Sequence, residues 1–263
     1  MNSPNFTPDH FAARFARCQA VAAGLSLLAV SASAASPRNE IPFTEDFPIE
    51  SCSFQTTGKN PYFILDPGRT LKFDNLACFQ AGDCDEFETL AITVLNQTKS
   101  VTFVQDGKSR TVSTRIVKEE ERVDGKLKEI SRNYFAQCAG NQDVYYFGED
   151  VDIYDANGVN IVSHDGAWLV GKNQAEAGII MPGGAFLLGS RYFQEIAPGV
   201  ALDRAEHVAM DIDLVLPYGE LEDCVEIRET TPLDPNGAPS IKFYCQNVGL
   251  VIDNDLELVD IVE

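Results

Sequence analysis

Residues 100–137, SVTFVQDGKSRTVSTRIVKEEERVDGKLKEISRNYFAQ, contain three β-prone runs separated by two Asp-Gly dipeptides. Asp and Gly tolerate the positive φ angles of primed turns, so Asp106-Gly107 and Asp124-Gly125 each mark a tight hairpin between antiparallel strands. Apolar and polar residues alternate with period two from Val112 through Ile116, the pattern of a strand with one buried face. Charge then occupies both faces of KEEERV, which reads as a strand running past the core into solvent. The stretch predicts an antiparallel meander.

The same rhythm extends outward. TLAITVLN (89–96) precedes it, and DVYYFGEDVDIY (143–154), a third turn dipeptide Asn157-Gly158, and VNIVSH (159–164) follow it. Residues 164–189, HDGAWLVGKNQAEAGIIMPGGAFLLG, interrupt with glycines and the single tryptophan, as a functional or covering loop does. Strands resume in SRYFQEI, HVAMDIDLVLP, CVEIRET, SIKFYCQ and VGLVIDN, and helical periodicity is scarce. The expected fold is mainly β. It is a single domain built on a strongly curved antiparallel meander, an open half-barrel or barrel, with a long glycine-rich loop.

Residues 1–34 read as an export signal. Arg14 and Arg17 precede the apolar run QAVAAGLSLLAV, and Ala32-Ser33-Ala34 forms a small-residue cleavage site. The run is too short for a transmembrane helix, which needs roughly 20 residues. Residues 35–60, rich in Pro, Ser, Thr and Asn, are expected as an extended N-terminal arm, and residues 61–263 as the β domain. Periplasmic or secreted localisation follows. Beyond Cys18, the chain holds Cys52, Cys78, Cys84, Cys138, Cys224 and Cys245, an even set that favours disulfides in an exported protein. Cys78 and Cys84 flank a short loop, Cys224 and Cys245 fall opposite each other if their strands form a hairpin, and Cys52 is left with Cys138.

With Lys+Arg 20 against Asp+Glu 40, the net charge is -20. Such a balance argues against nucleic acid, whose phosphates are met by clustered Lys and Arg. It favours cations or basic partners, and also solubility.

NPYFILDPG (60–68), YYFGEDVDIY (145–154), HDGAWLVG (164–171), GIIMP (178–182), YFQEIAPGVALDRAE (192–206), RETTPLDP (228–235) and KFYCQNVGLV (242–251) resemble, in order, the blocks of an uncharacterised family of exported bacterial β-rich proteins. The resemblance implies an exported β protein and brings no activity with it. It draws attention to Glu149, Asp150, Asp165, Trp168, Met181, Glu195 and Asp203. Leu71 and Phe73 stand where relatives carry an aromatic pair, and many relatives lack most of these cysteines.

The acid-rich stretch at 149–155 admits three readings: a metal site, catalytic carboxylates, or an acidic hairpin. A hard cation such as calcium wants six or more oxygen ligands. Glu149, Asp150, Asp152, Glu195 and Asp203 are the candidates. No EF-hand spacing is present, and on a strand Asp150 and Asp152 share a face while Glu149 points away, so distant Glu195 or Asp203 would have to complete a site. A copper set of His164, Met181 and His207 is scattered. Hydrolysis would use Glu149 or Asp150 opposite Glu195 as acid and base. No GxSxG, GxxxxGK[ST] or GxGxxG occurs, since GAWLVGK (166–172) is followed by Asn173 and not by the Ser or Thr of a phosphate loop. For a noncatalytic binding module, Trp168, Tyr146, Phe147 and Tyr192, with Tyr145, Phe193 and Phe243, supply aromatic surface to line a concave face, or else they fill the core. The favoured expectation is an exported, disulfide-stabilised β protein that binds a small molecule or cation without covalent catalysis. The alternative is a carboxylate-dependent hydrolase acting outside the cytoplasm.

Overall fold

The computed structural model describes residues 42–263, and the export-signal reading of residues 1–34 lies outside them. In chain order the strands are β1 (Phe54–Gln55), β2 (Thr70–Asp74), β3 (Glu88–Gln105), β4 (Lys108–Val123), β5 (Lys126–Cys138) and β6 (Val144–Tyr154), with one short helix, α1 (Leu76–Ala81), after β2. There follow β7 (Ile161–Ser163), β8 (Trp168–Leu169), β9 (Glu176–Met181), β10 (Arg191–Phe193) and β11 (Glu195–Ile196). The last five are β12 (Arg204–Leu216), β13 (Gly219–Thr230), β14 (Ser240–Cys245), β15 (Gly249–Asp253) and β16 (Leu256–Val262). Gln105 faces Lys108 and Val123 faces Lys126, so both Asp-Gly pairs form two-residue turns, with φ of 50° at Asp106 and Asp124. At Asn157-Gly158 a wider loop forms instead. There the Asp155 carboxylate accepts the backbone N–H groups of Asn157 (3.2 Å) and Val159 (3.1 Å) and the Asn160 side-chain amide (2.8 Å).

The strands make one 16-stranded sheet whose main path runs β10-β12-β13-β14-β15-β16-β2-β3-β4-β5-β6-β9-β11, with β1 beside β5 and with β7 and β8 beside β6, every pairing between named strands being antiparallel. A sheet of this width with the normal right-handed twist curls on itself. It nearly closes into a barrel with one seam. The chain crosses that seam itself: β10 pairs with β12 at one end of the sheet, and β11, one residue further on, pairs with β9 at the other. Beside the seam the N-terminal arm supplies Thr44, whose N–H donates to Arg191 (2.9 Å) and whose carbonyl accepts from Phe193 (2.9 Å), so the free edge of β10 is covered. The glycine-rich stretch 164–189 thus holds the two short strands β8 and β9, and β9 is the one that meets the seam.

Close approach at the seam requires Gly178. A Cβ there would lie 2.4 Å from the Phe193 carbonyl oxygen and 2.5 Å from Gln194 backbone atoms, none of which can yield without separating β9 from β11. Gly178→Ala is expected to lower stability by about 2 kcal/mol or more, the scale of an overpacked core. Urea midpoints of the oxidised protein measure this; an unchanged midpoint would show that the seam does not contribute to stability.

Three disulfides tie the sheet: Cys52–Cys138, Cys78–Cys84 and Cys224–Cys245. The first holds the arm against β5, and the arm's Phe54 packs edge-on against Tyr145 (5.3 Å) and Phe147 (5.2 Å) on the outer face of β6. The second spans α1 and its Gly82 cap, whose φ of 79° lets its N–H reach the Cys78 and Phe79 carbonyls. The third joins directly opposed residues of β13 and β14.

Candidate functional site

Opposed residues in an antiparallel pair share a face, so the interior lining follows from the register. Ile92 faces Glu119, Glu119 faces Ser131, and Ser131 faces Val151 around β3, β4, β5 and β6; one step along, Val117 faces Asn133 and Asn133 faces Glu149. On the opposite wall Ile227 faces Lys242, and Lys242 faces Asp253. The KEEERV segment therefore does not run into solvent on both faces. Lys118, Glu120 and Arg122 form an outer-face network with contacts of 2.7–3.1 Å, while Glu119 and Glu121 point inward. One end of the barrel interior is lined with carboxyls.

The structure sorts the candidate residues by face. Asp150 is exposed, paired with Lys99 at 3.2 Å and accepting from the Tyr134 hydroxyl. Asp152 pairs with Arg132 (2.9 Å) and His164 (3.1 Å). Both lie on the outer face, away from Glu195 and Asp203, because alternation along β6 sends them opposite to Glu149. The expected combination of Asp150 and Asp152 with Glu195 or Asp203 is thus not assembled; Glu149 is the acid of this stretch that approaches them. The Asp203 N–H donates to Glu195 Oε1 at 2.8 Å, and the two carboxyls also hydrogen-bond to each other. Gln194 carries the neighbouring Glu229 through a 2.7 Å amide contact.

The aromatic candidates separate in the same way. Phe147 is fully buried in the outer core against Phe54 and Phe103, so it lines no ligand surface. Tyr146 is buried on the inner side, donates to Asn133 Oδ1 and meets Phe135 (4.7 Å) and Trp168 (5.0 Å). Tyr192 bonds His207 Nε2 at 3.0 Å, and Phe186 of the glycine-flanked turn stacks on that imidazole at 3.8 Å and touches Tyr62 edge-on. Trp168 is 7% exposed, and among the described residues its indole N–H has no hydrogen-bond partner.

Burial dominates the electrostatics. It lifts the Glu149 carboxyl to about 8; the Tyr146 hydroxyl bond opposes, and the carboxyls of Glu119, Glu129 and Asp203 reinforce the rise. Glu195 lies well above the usual carboxylate range through burial and the adjacent Asp203. Asp203 rises to about 6 through burial and Glu229, with Lys242 and Thr231 opposing. Glu119 rises to about 7 through burial, against the pull of Lys242. Burial lowers Lys242, but Asp253 and Glu229 outweigh it, so this amine stays cationic. It pairs with Glu229 at 3.1 Å and Asp253 at 3.6 Å.

Two concavities adjoin these carboxyls. One, of about 250 Å³, opens between Glu149, Trp168, Leu169, Ala175, Ala197 and Val200. The other is a lumen cavity of about 100 Å³, walled by Phe63, Leu71, Ile92, Val94, Phe135 and Leu250, with Arg69, Glu119, Lys242 and Asp253 at its polar side. Among the described residues, one group brings three candidate metal-ligand atoms within 4.8 Å of one another, Cys78, Cys84 and Asp255, and its cysteines are joined in a disulfide. Glu149, Glu195 and Asp203 do not converge that closely.

Glu119, Glu229 and Lys242 were not among the candidates drawn from sequence. A signal for Glu119 was present: the two-residue turn at Asp106-Gly107 places Glu119 and Glu121 on the face of Ile92 and Val94. The bulge between Val94 and Thr98 moves the register by an even step and keeps that face.

No family model matches the chain, and no curated protein matches it. Among solved structures, a Bacteroides fragilis protein described as inferred to be exported, with a YmcC-like fold, matches at 12% identity. The match covers 78% of this chain and 100% of that one, with a TM-score of 0.29.

Proposed function

We propose that this is an exported, disulfide-stabilised β-barrel that binds a small ligand in its lumen without covalent catalysis. The observation that carries this reading is the lumen cavity of about 100 Å³, with an apolar wall and charged groups at one side. That is the composition of a ligand site, in which apolar surface supplies affinity and a few polar groups supply orientation. The three disulfides support export, since such bonds persist in oxidising compartments. A small organic ligand is favoured over calcium because a hard cation needs several converging oxygens, and the inner carboxyls are spread around the wall.

The test is an amide-shift titration of the oxidised protein with a small neutral alcohol such as isobutanol at millimolar concentration. Saturable shifts at Ile92, Val94 and Phe135 are expected; shifts that never saturate, or that map to other faces, would remove the lumen reading. In the same sample, calcium or EDTA is expected to leave the thermal midpoint unchanged. A cation bound only by the native state at 100 times its dissociation constant would raise stability by about 2.7 kcal/mol.

One feature favours hydrolysis as a second reading: Glu149 keeps its proton to about 8 at the wall of the Trp168 concavity, as a general acid requires. That reading requires turnover of an ester or glycoside that Glu149→Gln abolishes while the fold survives.

A further inference from the structure

Glu119 sits deep in the barrel, yet it retains partial accessibility and lines the lumen cavity. A carboxyl that is both deep and touched by a water-sized probe faces an interior space. Among the described residues, none donates a hydrogen bond to Glu119 and none pairs with it at contact distance. The cations in the same wall are already engaged: Lys242 by Glu229 and Asp253, and Arg69 by Glu263 and the Val248 carbonyl. Lys242 acts on Glu119 only through space, and what the cavity lacks is a cationic donor at hydrogen-bonding distance from Glu119.

We infer that the lumen ligand is a small organic cation, an alkylammonium whose apolar body fills the cavity and whose ammonium group pairs with Glu119. This rests on the lumen reading above and specifies its ligand class. Size limits the body. A cavity of 150 Å³ accommodates benzene, so about 100 Å³ takes an aliphatic chain of roughly four carbons. The apolar wall of Leu71, Ile92, Val94 and Phe135 suits such a chain. A buried ionised carboxylate is costly unless it is paired, and an ammonium supplies both the charge and the hydrogen bonds.

The experiment compares butylammonium, butanol and butyrate, near pH 8 and at matched ionic strength, by amide-shift titration of the oxidised protein. Butylammonium is expected to bind at least tenfold more tightly than butanol, with saturable shifts at Ile92 and Val94. In Glu119→Gln, whose side chain is isosteric, the two should bind equally. Ile92→Phe, which fills the cavity, should abolish both. Equal binding of butanol and butylammonium to the unaltered protein would keep the lumen site and overturn the ammonium assignment. Strongest binding by butyrate would overturn it too, in favour of Arg69 or Lys242 as the anchor. Absence of saturable lumen shifts with all three would overturn both the ligand class and the lumen reading.

Discussion

Thermal stability is expected to peak near pH 5 and to fall by several kcal/mol as the pH is raised to 8.5. The interior carboxyls set this direction. Glu119 and Glu149 have an ordinary value of 4.5 and Asp203 one of 3.8, but burial raises them in the folded chain to about 7, about 8 and about 6. Each therefore contributes fully below its unfolded value and loses that contribution as pH climbs through its folded value. Each unit of difference corresponds to about 1.4 kcal/mol. The outer carboxylates work the other way. Glu120, drawn down by Arg122 and Lys118, and Glu206, held down by Arg228 and Arg191 against its burial, contribute above their unfolded values. That contribution disappears below about pH 4, the usual acid limb. The check is a series of unfolding midpoints from pH 3.5 to 8.5 on the oxidised protein, alongside Glu149→Gln and Glu119→Gln. Both variants should flatten the alkaline limb and be more stable than the parent at pH 8. A midpoint that rises from pH 5 to 8 would mean that these carboxyls are solvated or already paired.

The second large effect concerns the Cys52–Cys138 disulfide, whose residues are separated by 86 positions. Loop-closure entropy puts its contribution at about 4.6 kcal/mol, against about 3.3 for Cys224–Cys245 and about 2.2 for Cys78–Cys84, whose separations are 21 and 6. Structure widens the difference. Cys224 and Cys245 are already opposed in a hydrogen-bonded hairpin, and Cys78 and Cys84 lie at one helical turn. Cys52, by contrast, ties the N-terminal arm to β5. Its loss would loosen Phe54 from Tyr145 and Phe147 and weaken the Thr44 cover on β10. Replacing both Cys52 and Cys138 by Ala should therefore cause the largest fall in urea midpoint of the three pairwise replacements. It should also open the arm to proteolysis before the barrel unfolds. If removing Cys78–Cys84 were as damaging, the arm would not be a structural part of the barrel.

Reading the sequence reached the antiparallel meander because its signals are local. Asp106-Gly107 and Asp124-Gly125 accept positive φ, and the alternation beside them has the strand period. The same locality misplaced other parts. Nothing adjacent in the chain marks GIIM as a strand at the seam. Charge on KEEERV suggested solvent, since a run of acids and bases gives no sign that its inner half will face Ile92 and Ser131 across two neighbouring strands.

By itself, the chain's order of residues determines the strands, the tight turns, the acidic balance and the set of cysteines, because each depends on neighbours within a few positions or on composition alone. Tertiary structure decided which carboxyls meet. Glu149 comes near Glu195 and Asp203, from strands far apart in the sequence, only because alternation on β6 turns it inward and because residues 191–196 cross the seam from β12 to β9. Barrel closure, set by twist, bulges and long-range register, withdraws those acids from most of the surrounding water and leaves Glu119 facing a cavity with no hydrogen-bond donor at contact. No local pattern encodes that outcome.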